Sequence, residues 1–263
     1  MRRSVELLLS VPILLFAFNP ADAAITIGAG SVFNLADAIV DVGCQDVVIA
    51  GQAGATAGSL RSVDSLSIAA GGNLAPGAGD ISLGGDFNNA GGFVAGTSRV
   101  AIVDACGHGA SQVLGATSFH DFFVTTTTGK QLVLPAGQTQ TVARALTFEG
   151  AAGALLNIVS SSAGVPAVLA VNAAATQTVD YVNARDNTAI AAGIAPGTPA
   201  QYHSVDAGGL TNWFGGAAGA GTGATVPAPL LNALGRAMLL LGLVLGAMRA
   251  CRAPRCTDSR TQT

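Results

Sequence analysis

The side chains with the most reactive chemistry are few and widely spaced. Between residues 24 and 214 the chain has two cysteines, Cys44 and Cys106, and three histidines, His108, His120 and His203. No histidine has a second His or Cys at metal-ligand spacing, and neither cysteine belongs to a CxxC pair, so zinc and redox motifs are not supported. In an exported chain Cys44 and Cys106 form a bridge or remain two buried thiols, and their even number favours the bridge. His120-Asp121 has the composition of an acid-base pair. On a strand, adjacent side chains point to opposite faces, so both read as solvated loop or edge residues. Asp80, Asp86, Asp104 and Asp121 recur through the centre, where they flank apolar runs beside Gly or Asn, as turn residues do. No phosphate loop or serine-nucleophile elbow is present. The sequence therefore assigns no catalytic residue, cofactor or metal.

The segments carrying these residues are short and alternate apolar with polar positions. Asp46-Val47-Val48-Ile49, Ser65-Leu66-Ser67-Ile68, Asp80-Ile81-Ser82-Leu83 and Arg99-Val100-Ala101-Ile102-Val103 are examples. Gln131-Leu132-Val133-Leu134, Ala145-Leu146-Thr147-Phe148 and Leu156-Asn157-Ile158-Val159 continue the series. Period-2 alternation marks strands with one wet side. Gly71-Gly72, Gly84-Gly85, Asn88-Asn89 and Gly91-Gly92 read as turns between them. No helical stripe interrupts the series before Pro227. Two all-β architectures fit, a β-sandwich and a parallel β-helix. A sandwich core normally uses bulky aromatics, and aromatic residues make up only 5% of the chain. A narrow solenoid filled by Val, Ile, Leu and Ala is the better match, and the expected body is a right-handed parallel β-helix spanning 24–214.

Both ends read as targeting segments. Arg2 and Arg3, the apolar run Leu7 to Phe18 and the small-x-small pattern Ala21-Asp22-Ala23 are the ordered parts of a signal peptide covering 1–23, with cleavage between Ala23 and Ala24. Residues 215–225 are a Gly/Ala linker. In 226–256, Leu230 to Met248 is about 19 residues, or roughly 28 Å of helix, close to the thickness of a bilayer core. Arg249, Arg252 and Arg255 follow as a stop-transfer cluster, so the short tail 257–263 is expected inside and the body outside. Fold class is thus all-β with one C-terminal transmembrane α-helix.

Charge agrees with this division. From Ile25 to Thr225 five bases face 12 acids, a net charge of −7, while the other seven bases sit at the two ends. An acidic body has no phosphate-binding stripe, which argues against a nucleic acid partner.

Val226-Pro227-Ala228-Pro229, followed by a short apolar run and an Arg-rich end, resembles the IPTL-CTERM and PEP-CTERM class of bacterial sorting tails. The resemblance covers about 30 residues. The Trp often found after the motif is absent, Leu231-Asn232 occupying that region. It implies recognition by an exosortase-like membrane protease that cuts near the motif. Ser59 to Asp104 also resembles bacterial cell-surface β-helices. Val179 to Phe214 resembles the closing segment of such proteins, with Trp213 and Phe214 as a cap. Together these imply an exported structural or adhesin-like protein. It would be an inner-membrane-anchored precursor whose body is periplasmic or at the cell surface, with a surface polysaccharide or matrix as partner. A polysaccharide-acting β-helix enzyme, lyase or hydrolase, is the alternative.

Overall fold

The computed structural model describes residues 24–215. The segments expected as signal peptide (1–23), sorting tail and membrane helix (226–256), with its Arg cluster, lie outside the described residues, as does the expected linker beyond Gly215. Among the described residues no helix is long and apolar enough to cross a membrane.

The chain forms β1 (Ala24–Ile27), β2 (Val32–Asn34), β3 (Ile39–Ile49), β4 (Gln52–Gly54), β5 (Ser59–Ile68), β6 (Asn73–Ala75) and β7 (Asp80–Leu83). Next come β8 (Phe87–Asn89), β9 (Gly92–Phe93), β10 (Arg99–Ile102), β11 (Ala110–Leu114), β12 (Thr117–Thr125), β13 (Gln131–Leu134) and β14 (Thr139–Glu149). The series ends with β15 (Leu156–Ser160), β16 (Ala167–Val171), β17 (Thr176–Asp180), β18 (Val182–Arg185), β19 (Asn187–Ala191), the 3-10 turn η1 (Pro199–Tyr202) and β20 (Val205–Asp206).

Every pairing between these strands is parallel, and each strand pairs with the equivalent strand one coil later. That is a parallel β-solenoid, and it excludes the sandwich. One face stacks β1, the end of β3, the end of β5, β8, β11, β13, β15, β18 and β20. A second stacks the start of β3, the start of β5, β7, β10, the end of β12, the end of β14 and β17. The third begins with β2, β4, β6 and β9 as a separate sheet, then resumes with the starts of β12 and β14, followed by β16 and β19.

The long strands β3, β5, β12 and β14 bend round a corner and serve two faces each. Register shifts mark those bends, between Asp41 and Val47 in β3 and between Phe119 and Asp121 in β12. The left-handed residues Ser62, Tyr181 and Asp186 turn other corners. Where coils approach most closely only glycine fits. A Cβ on Gly79 would lie 1.8 Å from the Gly58 carbonyl oxygen.

The alternating pattern works as a solenoid requires. Ile81, Val100, Phe122 and Leu146 stack in register on the second face, as do Leu83, Ile102, Val124 and Phe148, all buried. Each such side chain contributes about 1.5–3 kcal/mol by leaving water.

The interior differs from the expected Val, Ile, Leu and Ala filling in one respect. Phenylalanines run up its centre: Phe87 and Phe119 have centroids 5.4 Å apart, Phe119 and Phe122 4.4 Å, and Phe122 and Phe148 5.8 Å. Few aromatics sufficed because the chain concentrates them inside. Trp213 stacks parallel to Phe148 at 6.3 Å, and Trp213 and Phe214 are both buried at the last coil. Asn88-Asn89, read as a turn, belongs to β8. Gly92, read with Gly91 as a turn, opens β9.

Candidate interaction surface

Ala24, the residue expected after signal cleavage, is the first residue of β1. Ala21, Ala23, Val226, Pro227, Ala228, Pro229, Arg249, Arg252 and Arg255 are outside the described residues.

Cys44 and Cys106 are disulfide-bonded, with Cα atoms 5.3 Å apart. Cys44 lies in the bend of β3, and Cys106 lies in the loop 103–109 that follows β10. That loop folds back as a strap across Gly84. His108 adds a second attachment, its Nε2 lying 2.6 Å from Asp64 Oδ1 on an earlier coil.

A third attachment comes from Lys130, which is fully buried. Its Nζ donates to the Gly84 carbonyl at 2.7 Å and to the His108 carbonyl at 2.6 Å. Burial lowers its pKa from the ordinary 10.5, and the negative charges of Asp104 and Asp86 partly oppose that shift. In the sequence Lys130 is one of five dispersed bases of the body. Its place after Thr128-Gly129 gave no sign of burial, since lysines are almost never fully buried.

The central acids are dispersed along the solenoid, and each bonds to the following coil. Asp80 accepts from Arg99 at 2.9 Å, and Asp86 accepts from the Gln112 N–H at 2.7 Å. Asp104 accepts from the N–H groups of Thr127 and Thr128 at 2.7 and 3.1 Å. Slight burial raises the Asp104 pKa, but the hydrogen bonds from Thr127, Thr126 and Thr128 outweigh it and hold the carboxyl below its usual 3.8. Asp121 accepts from Arg144 at 2.7 Å.

The reading of His120 and Asp121 as solvated residues on opposite faces is corrected. Both sit at the β12 corner, where the register shift brings His120 Nδ1 within 3.1 Å of Asp121 Oδ1, and Asp121 is buried. A bend cancels the alternation that a straight strand imposes. The approach of His120 to Asp121 is not a hydrogen bond, since neither atom has a hydrogen-bond partner, whereas His203 stacks on Tyr181 at 4.7 Å with its Nδ1 2.8 Å from Asp180 Oδ1. Among the described residues no three His, Cys, Asp or Glu side chains gather as a metal site.

The first coils form a partly open apolar pocket of about 260 Å³ among Ile25, Phe33, Leu35, Val40 and Leu60. It lies beside the core and has no convergent polar groups to orient a ligand. The polar concavity lies elsewhere. A groove of about 410 Å³ runs along the first face, floored by Gln131, Asn157 and Asn183, with Arg185 beside them and Gly109, the last residue of the strap, at its wall. Gln131 pairs with Asn157, and Asn157 with Asn183, so the amides repeat in register on successive coils. Asn183 Nδ2 donates to Asn157 Oδ1 at 2.9 Å. The amides recur 26 residues apart, but the preceding coil on this face is shorter, Ala110 standing 21 residues before Gln131, so no sustained period marks the ladder in the sequence.

Comparison of the chain with protein-family models, with curated proteins and with solved structures found no match.

Proposed function

We propose that this chain is an exported, non-enzymatic surface protein of structural or adhesin-like type. Its right-handed solenoid body would face outward, tethered by the apolar helix of 226–256 until an exosortase-like protease acts at Val226-Pro227-Ala228-Pro229. One observation supports the structural role above the others. Asp80, Asp86, Asp104 and Asp121 each spend a carboxylate oxygen on the neighbouring coil. Acids used to join coils serve the scaffold, whereas a glycan-cleaving centre needs paired carboxyls facing one ligand. The signal-peptide pattern in the sequence of 1–23, the Arg-rich C-terminal segment and the acidic body support the outward orientation.

The test places an epitope in the linker 215–225 and probes intact cells. Antibody should reach the epitope without lysis, and deleting Ala237 to Met248 should release the body into the medium. An epitope reached only after lysis overturns the location. Release of oligosaccharides from surface polymers by the purified protein overturns the non-enzymatic role.

A further inference from the structure

We propose that the groove on the first face is a saccharide site, and that its ligand is an extended acidic glycan. This deepens the surface-protein reading and rests on it for access to such a polymer.

The floor of the groove repeats one chemistry. Gln131, Asn157 and Asn183 stand on consecutive coils, about 4.8 Å apart, the spacing of hydrogen-bonded strands. An amide offers two donors and an acceptor, and a sugar hydroxyl both donates and accepts, so a row of amides suits a row of hydroxyls. The row is pre-oriented. Asn157 Nδ2 donates to the Leu155 carbonyl at 3.2 Å, and its Oδ1 holds Asn183. Asn183 Oδ1 is buried without a hydrogen-bond partner and is not an acceptor open to the groove, which leaves the exposed Gln131 amide as the freest of the three. Gly109 and Gly129 bring no side chains into the wall, which leaves the floor open.

Arg185 supplies the charge. It lies two residues after Asn183 on the same face of β18, is about half exposed at 51%, and has one acidic neighbour, Asp186, at 3.5 Å. A guanidinium placed this way offers a forked donor to a carboxylate. The neutral amides read hydroxyls and the arginine reads an acid, a combination found in a uronate-containing strand.

Other polymers fit less well. A peptide that adds as a strand needs a free sheet edge. Here the backbone of Asn157 is paired on both sides, with Gln131 and with Asn183. A single-stranded nucleic acid needs stacking platforms for its bases, and the groove has no aromatic residue. Without an aromatic platform, affinity per site should be weak, with a Kd of roughly 1 mM, and a polymer would gain by repeated engagement.

The experiment is affinity electrophoresis of the full chain in gels containing polygalacturonate, dextran or poly-L-glutamate. Polygalacturonate should retard the protein, with dextran and poly-L-glutamate much weaker. Arg185→Ala and Gln131→Ala each change an exposed side chain and should leave the melting temperature unaltered. Each should weaken retardation by about ten-fold for the arginine and less for the glutamine, as loss of a charged against a neutral hydrogen bond predicts. Absence of retardation overturns the site, as does equal retardation by poly-L-glutamate or full retardation of both variants. These outcomes are independent of the intact-cell epitope result, so failure of the groove and failure of the surface location are distinguishable.

Discussion

Gly84 lies directly beneath Ala105: a Cβ on Gly84 would fall 2.2 Å from the Ala105 carbonyl oxygen and 2.6 Å from its carbonyl carbon. The strap crosses the solenoid at a distance that only glycine allows. The Gly84 carbonyl is also occupied, accepting from Lys130 Nζ and from Ser111 Oγ. Gly84→Ala should therefore displace the strap rather than relax locally. The expected cost is about 1–3 kcal/mol, typical of overpacking against atoms that cannot retreat. Urea denaturation of oxidised protein checks it, and an unchanged midpoint would mean that the strap moves freely.

The bond between Cys44 and Cys106 closes a loop of 62 residues, for which chain entropy in the unfolded state predicts about 4 kcal/mol of stabilisation. The Cys44→Ser, Cys106→Ser double variant should lose much of that stability. Labelling of the oxidised, unfolded protein should find neither thiol free. Label mapped to Cys44 and Cys106, as distinct from Cys251 and Cys256, would refute the bond.

Phe148 joins the aromatic column to the last coil, lying between Phe122 and Trp213. Phe148→Ala should cost about 3–5 kcal/mol, as large-to-small changes in a rigid core do. The indole of Trp213 reports on this directly, because its fluorescence should shift to the red as its stacking partner is removed. Retained stability with an unshifted spectrum would show that the column is not a packing unit.

The lowered pKa of Asp104 fixes the sign of one pH dependence. Between the folded value and the ordinary 3.8, the unfolded chain binds more protons than the folded chain. The contribution of Asp104 is therefore fully present above that ordinary value and is lost as pH falls through the folded one. Asp104→Asn should lower stability near neutrality, and the gap from the parent protein should close in acid. Denaturation midpoints of the two proteins across that range measure it, and a gap that widens in acid would contradict the assignment.

Much of the body was legible in the sequence because a solenoid repeats a local rule. Ile81-Ser82-Leu83 and Val100-Ala101-Ile102 alternate in sequence and stack in register in space. What was not legible depends on interruptions of that rule. His120 and Asp121 meet because β12 bends there, and a bend is invisible to a periodicity argument. Gln131, Asn157 and Asn183 recur every 26 residues, but the coil before them takes only 21, so the repeat is too brief to stand out. Lys130 lies inside because the His108 carbonyl of the strap and the Gly84 carbonyl beneath it both accept from its ammonium, and that loop is recognisable only once Cys106 is seen beside Cys44.

The same bond has a mechanical consequence. Pulled from its ends, a stack of coils that touch only their neighbours yields one coil at a time. The covalent link carries load from Cys44 straight to Cys106, and the 62-residue stretch it encloses is shielded from tension. At about 3.6 Å per extended residue, roughly 220 Å of chain is withheld from stretching. Reducing the link would turn a short, stiff tether into one that pays out that length under load.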